Sequence, residues 1–337
     1  MKTSKLNYEL PKELIAARPA EPRDAARLMV LQRNSREVED STFGDIGKYL
    51  RCGDVLVLNQ TKVFPARIHG VKETGGKVEV VFLSEGSRRL WEVIIGGKVI
   101  DGQVITFSND FSGKVKIKNR GMFLEVEKNR VEVFEILESL GEMPLPPYMK
   151  REAEESDKSD YQTVFAKTTG SAAAPTAGLH FTKGLLKKLQ KIGVQIEYVT
   201  LHVGLGTFAP VKTEILEDHP IHSEYFEIDE KTAIGLNQAK RDGRRIVAVG
   251  TTVVRTLESA IQNGIIIAQK TETKLFIYPG YRFQFVDGLV TNFHTPGSSL
   301  LALVYAFTGE KNIRSAYDHA IAERYRFFSY GDGMLII

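Results

Sequence analysis

Asp54-Val55-Leu56-Val57-Leu58-Asn59 is the strongest strand signal in the first 69 residues of this 337-residue chain. Four apolar residues stand in a row between two polar ones, the mark of a short, deeply buried strand. The rest of residues 1–69 is a mixture of short polar segments, too little to bury a core alone. The strand must therefore find partners elsewhere in the chain.

Candidate partners lie beyond residue 150. Arg245-Ile246-Val247-Ala248-Val249 is nearly continuous and apolar, as in a parallel sheet covered on both faces. Val194-Gln195-Ile196-Glu197-Tyr198-Val199 reads as another strand, with two more around Leu275–Tyr278 and Leu289–Phe293. Helices alternate with them. Thr182 caps one whose apolar stripe is Leu185, Leu186, Leu189 and Ile192, stopped by Gly193. Asp229 starts a second that ends near Gly243, Thr252 to Asn263 forms a third, and two helices close the chain.

Residues 70–149 differ in texture. Val78–Phe82, Leu90–Ile94, Val104–Phe107, Val115–Lys118, Met122–Val126 and Val131–Phe134 read as short strands. Gly75-Gly76, Gly96-Gly97, Asp101-Gly102, Ser112-Gly113 and Arg120-Gly121 supply turns. A small antiparallel barrel or sandwich follows. Pro144-Leu145-Pro146-Pro147 closes this zone, and Lys150–Asp160 reads as an exposed loop. The expected fold is α/β: a discontinuous α/β domain of residues 1–69 and 150–337, with a small antiparallel β-barrel of residues 70–149 inserted.

Composition narrows the class. Apolar residues make up 42% and charged residues 26%, which fits a globular protein of about two domains. No apolar run approaches the length of a membrane span, and the N-terminus lacks the apolar stretch of a signal peptide. One cysteine, Cys52, excludes a disulfide framework. Together these favour the cytoplasm. The net charge is only +3, and the inserted zone has 11 basic and 12 acidic residues, or −1. A nucleic-acid partner would have to use a local basic patch on the α/β body.

Four loops could carry chemistry. Ser171–Phe181 packs small residues around Pro175, Thr176 and Gly178, and ends in His180 just before a helix. Leu201–Phe208 follows a strand and carries His202 and a Gly-x-Gly, without the third glycine of a dinucleotide fingerprint. His202 reads equally as a ligand contact or a satisfied loop histidine. Gly250-Thr251-Thr252-Val253-Val254-Arg255 turns a buried strand into a helix, where open sheets bind ligands. Asn292–Ser299 repeats that transition and carries His294. Nearer the N-terminus, Arg23 and Asp24, then Asn59, Lys62 and Arg67, bring charged and amide groups together around the first strand. His219-Pro220-Ile221-His222-Ser223-Glu224 matches no familiar zinc spacing, so no metal is expected.

Read in order, Leu10–Ala16, Arg23-Asp24, Gly53–Arg67, Ala173–Thr182, Leu201–Val211, Ile221–Ile228, Ala248–Ser259, Leu275–Gly280, Val286–Gly309 and Tyr325–Leu335 form a set of motifs. The chain resembles the S-adenosylmethionine:tRNA ribosyltransferase-isomerases of queuosine biosynthesis almost end to end. The resemblance implies an α/β domain with an inserted β-barrel. It implies transfer and isomerisation of the ribosyl part of S-adenosylmethionine onto 7-aminomethyl-7-deazaguanine (preQ1) at the tRNA wobble position. Epoxyqueuosine-tRNA, adenine and methionine are the products, and no cofactor beyond this substrate is implied.

Residue types suggest roles. The sulfonium acidifies the neighbouring C5′ proton, and histidine is the side chain suited to remove it near neutral pH. His180 or His202 is expected to move that proton. Thr251, Thr252 and Arg255 would hold an anionic end of the substrate or a tRNA phosphate. Arg23, Asp24, Asn59, Lys62, Arg67, Thr176 and His294 would line the same cleft. Two rivals remain. A methyltransferase should show a glycine-rich loop after its first strand, which is missing. A noncatalytic RNA-binding protein should show a basic, aromatic platform, which the inserted zone lacks. A monomer is the default expectation.

Overall fold

The computed structural model describes residues 1–86, 89–118, 121–204, 206 and 210–337. Among these, the Val55–Asn59 strand is buried along its whole length near the centre of a nine-stranded sheet. Its neighbours are Gln195–Leu201 on one side and Ile246–Val249 on the other, both parallel to it. Gly288–Asn292 lies parallel beyond Ile246–Val249.

Alternation explains why the strand is apolar throughout. Val55 and Val57 face one core, with Ala233, Leu236, Val253 and Leu257 of the helices Glu230–Arg241 and Thr251–Ser259. Leu56 and Leu58 face the other, with Leu185, Leu186 and Leu189 of the helix Lys183–Lys191. Thr182 caps that last helix by accepting from the Leu185 amide, and Asp229 caps Glu230–Arg241 through the Thr232 amide.

The remaining sheet strands were not evident from the sequence. Glu224–Ile228 and Gln269–Thr273 extend one side as antiparallel strands. Gly333–Ile336, Arg27–Leu31 and Val38–Thr42 extend the other. Leu275–Tyr278 is not a strand, and the edge strand lies a few residues earlier at Gln269–Thr273. The third helix stops at Ser259 rather than Asn263, because Asn263 and Gly264 take positive φ in a tight turn between two short paired strands.

The barrel is closed by six strands: Gly121–Val126, Leu90–Gly96, Lys77–Glu85, Arg67–Lys72, Val104–Ser108 and Phe111–Lys118, in that order around it. Phe82 packs edge-on to Trp91 at 5.5 Å between centroids and lies 6.2 Å from Phe111 inside it. A Cβ on Gly70 would stand 2.6 Å from Ile105 Cγ2, so the first strand must carry a glycine there.

Two expectations need correcting here. The barrel's first strand begins at Arg67, inside the stretch the sequence left with the outer segment. Val131–Phe134 is not the sixth strand but part of the helix Arg130–Leu140. Asn129 and Glu132 form a capping box at its start, and Val133 and Leu137 make its buried stripe. The apparent alternation of Val131 and Val133 hid this, because Val131 is exposed. Lys150–Asp160 is largely exposed, as expected, but it is pinned: Arg151 clamps the buried Asp157 carboxylate at 2.7 and 2.6 Å, and the Tyr330 hydroxyl donates to it at 3.1 Å. Of the turn signals, Gly113 lies within a strand, and Arg120 lies outside the described residues.

At the N-terminal ends of the central strands, Asp54 accepts from Arg245 Nε at 3.0 Å and from the Arg51 amide at 2.7 Å. The Asp54 carboxylate is buried. Arg245→Ala is expected to cost about 1.5–3 kcal/mol, the range for a hydrogen bond to a charged group, read by urea unfolding. An unchanged midpoint would show that this clamp does not help hold the strands.

Candidate active site

The chain winds from Val55–Asn59 through one covering layer to Gln195–Leu201 on one side. It then crosses through the other layer to Ile246–Val249 on the opposite side of Val55–Asn59. This reversal makes a topological switch point, and ligands bind at the carboxyl ends of strands there. Asn59, Leu201, Val249 and Asn292 end the four parallel strands at this edge.

Asn59 ties the ends together. Its Oδ1 accepts from the amides of Leu201 at 3.0 Å and Thr61 at 3.1 Å. Its Nδ2 donates to the Leu201 carbonyl at 3.0 Å and to Thr252 Oγ1 at 3.4 Å. Gly250, at φ 92°, lets the chain turn from strand into helix. The amides of Thr251 and Thr252 stand at the start of that helix, where backbone donors have no intrahelical acceptor.

A chamber of about 370 Å³ of non-atom space, part of it open to solvent, lies over these ends. Thr176, Gly250, Thr251, Thr252, Asn292 and His294 line it. Asn292 organises one wall. Its Nδ2 donates to the Phe328 carbonyl at 3.2 Å, which fixes the orientation of the amide. The same nitrogen therefore donates to His180 Nε2 at 3.2 Å, and Oδ1 accepts from the Thr176 hydroxyl at 3.0 Å. His180 Nε2 is thus the bare nitrogen, and its ring proton sits on Nδ1.

Three histidines surround the strand ends. His180 is buried behind Asn292 and stacks on Phe43 with 4.6 Å between centroids. Burial, helped by the charges of Arg326 and Arg23, lowers its pKa to about 3. His202 meets Thr61 Oγ1 through Nδ1 at 2.8 Å and stacks on Tyr225 at 5.4 Å. A Cβ on Gly170 would approach His202 Nε2 to 2.5 Å, so this glycine makes room for the ring. Burial lowers the His202 pKa to about 4, and the Arg130 charge acts in the same direction. His294 pairs Nε2 with Thr291 Oγ1 at 2.8 Å, and burial lowers its pKa to about 3. Its Nδ1 has no partner among the described residues. All three are neutral at pH 7.

Asn59, Thr176, Thr251, Thr252 and His294 thus come together. The others do not join them directly. Arg23 donates to the Gln162 carbonyl at 2.6 Å, and Asp24 accepts from the Thr182 hydroxyl at 2.9 Å. Lys62 is half-buried, 3.9 Å from Glu138, and Arg67 sits on the barrel, donating to the Leu145 carbonyl at 3.2 Å. Arg255 is buried in an ion pair with Glu224 and lines a neighbouring chamber. Among the described residues its Nη2 has no acceptor, and such a buried donor left unpaired costs about 1–3 kcal/mol. Leu205, Thr207 and Phe208 of the Gly-x-Gly segment lie outside the described residues. His219 packs on Phe276, and Glu224 pairs with Arg255. Sequence reading missed Asn292, Thr61 and Glu224, whose partners are remote in the chain. The one available signal was that Asn292 precedes His294 by two residues at a strand's end.

The family model described as "Queuosine biosynthesis protein" matches residues 3–336. The chain belongs to this family. It is 46% identical to the S-adenosylmethionine:tRNA ribosyltransferase-isomerase of Carboxydothermus hydrogenoformans (strain ATCC BAA-161 / DSM 6008 / Z-2901), with 100% of both chains covered. It is also similar to the crystal structure of S-adenosylmethionine tRNA ribosyltransferase from Thermotoga maritima. That likeness has a TM-score of 0.59 and 36% identity, covering 99% of this chain and 100% of the other. The α/β body with a closed barrel accords with membership in the Queuosine biosynthesis protein family, as the sequence resemblance implied. No helix among the described residues is long and apolar enough to cross a membrane.

Each of the three imidazoles titrates lower in the fold than in an unfolded chain. The unfolded chain therefore holds the extra protons, and stability falls as pH drops from about 6.5 toward 4. His294→Asn is expected to flatten that slope by about 1.4 kcal/mol per pH unit below pH 6, the value of one proton. Chemical denaturation at pH 5 and pH 7 checks it, and an unchanged slope would contradict a neutral buried His294.

Proposed function

We propose that this chain transfers and isomerises the ribosyl moiety of S-adenosylmethionine onto preQ1 at the tRNA wobble position. Epoxyqueuosine-tRNA forms, and adenine and methionine leave. The observation that carries this reading is the whole-length identity to a relative bearing the ribosyltransferase-isomerase name. The chamber at the switch point supports it, because a few threonine hydroxyls and the Asn292 amide are set there in a mainly apolar lining, which suits a nucleoside. The reading takes the chain as a cytoplasmic monomer that uses no metal or further cofactor.

The adenosine half lies in the chamber, where the hydroxyls of Thr176, Thr251 and Thr252 and the free helix amides offer hydrogen bonds. The C5′ proton beside the sulfonium goes to a neutral imidazole. The sequence put His180 or His202 first for this step. The geometry favours His294, which borders the chamber and keeps Nδ1 unpaired. Nδ1 of the neutral ring accepts the proton and can pass it on. Departing adenine is the group that needs one. His180 and His202 then act behind it, holding Asn292 and Thr61 in place.

Incubation of preQ1-tRNA with S-adenosylmethionine, followed by nucleoside mass analysis, tests the reaction. Epoxyqueuosine with equimolar adenine is expected. An unchanged nucleoside from folded protein would sink the proposal, and S-adenosylhomocysteine instead of adenine would mean methyl transfer. His294→Gln is expected to lower kcat by roughly 10²–10⁴. Full turnover in that variant would return the role to His180 or His202.

A further inference from the structure

We propose that the methionyl arm of S-adenosylmethionine occupies the second chamber, with its α-carboxylate on Arg255 Nη2. This rests on the reaction proposed above and locates one end of its substrate. The second chamber holds about 390 Å³ of non-atom space, part of it open to solvent. Leu300 borders both chambers, so they adjoin. Thr251 and Thr252 line the first and Arg255 the second, all on the same helix. Three residues of helix advance about 4.5 Å, close to the reach of the four bonds from sulfonium to carboxylate.

The chemistry of the lining suits an amino-acid end. Arg255 donates through Nη1 to Glu224 and through Nε to the Leu275 carbonyl at 3.0 Å. Its Nη2 is buried and has no partner among the described residues, and the side chain is only 9% exposed. Glu224 also accepts from the Gly204 amide at 3.2 Å, which fixes the carboxylate that orients the guanidinium. The pair is neutral overall. A zwitterion matches it, because its carboxylate meets Arg255 and its ammonium meets the field of Glu224. A phosphate brings no cation to balance Glu224. Leu275, Ile277, Leu300 and Leu303 give the arm's methylenes an apolar wall.

The test compares S-adenosylmethionine with its decarboxylated analogue, S-adenosyl-3-methylthiopropylamine, on the wild-type enzyme with preQ1-tRNA, reading adenine release. A fall of roughly 100-fold in kcat/KM is expected for the analogue, as in sites built to bind a polar group that the analogue lacks. In the double variant Arg255→Gln/Glu224→Gln, which strands no buried charge, the two substrates should come within about tenfold of each other, with KM for tRNA unchanged. Equal use of both by the wild type overturns the placement while leaving the reaction intact. A raised KM for tRNA with the preference retained assigns Arg255 to a phosphate and overturns it too. Adenine from neither substrate overturns the reaction beneath it.

Discussion

The Asn59 side-chain amide is the joint on which the site depends. It spends one oxygen and one nitrogen on both backbone groups of Leu201, on the Thr61 amide and on Thr252 Oγ1. Those contacts lock the ends of two parallel strands to the first turn of the helix beyond a third. The central strand is therefore held at its carboxyl end by an amide and at its amino end by the Asp54–Arg245 pair. Between them lie only apolar side chains, which fill both cores but fix no ligand.

Away from that joint, polar groups are satisfied from within. Glu258 accepts from the Tyr281 hydroxyl and from the amides of Gln284, Phe285 and Val286, so one carboxylate shapes a whole connection. Asp287 likewise accepts from Lys240 and from the Ile246 amide. Accepting several donors at once holds each carboxylate rigidly in place. The histidines differ: with a single neutral partner each for the ring and dense packing around it, they remain uncharged.

Much of this architecture was legible from local pattern. The buried strands at Val55 and Ile246, the caps at Thr182 and Asp229 and most barrel strands follow from periodicity and capping chemistry, which act over a few residues. Edge strands such as Gln269–Thr273 were hidden because only one of its residues is buried, so no apolar pattern marks it. Val131–Phe134 misled because two valines two apart suit a strand as well as a helix, and the Asn129–Glu132 box decided the matter.

The sequence by itself determined which loops could hold chemistry, since small residues, threonines and histidines at strand ends are local features. It could not rank the three histidines. That depended on Asn292 and Thr291 occupying one ring nitrogen or leaving another bare, through contacts that for His180 join residues 112 apart. Nor could it separate Arg255 from the other cations, because the buried Glu224 that neutralises it comes from a strand 31 residues earlier. Residue type sets what a group can do; burial and partners, which only the folded chain supplies, set whether it is charged, bare or already engaged.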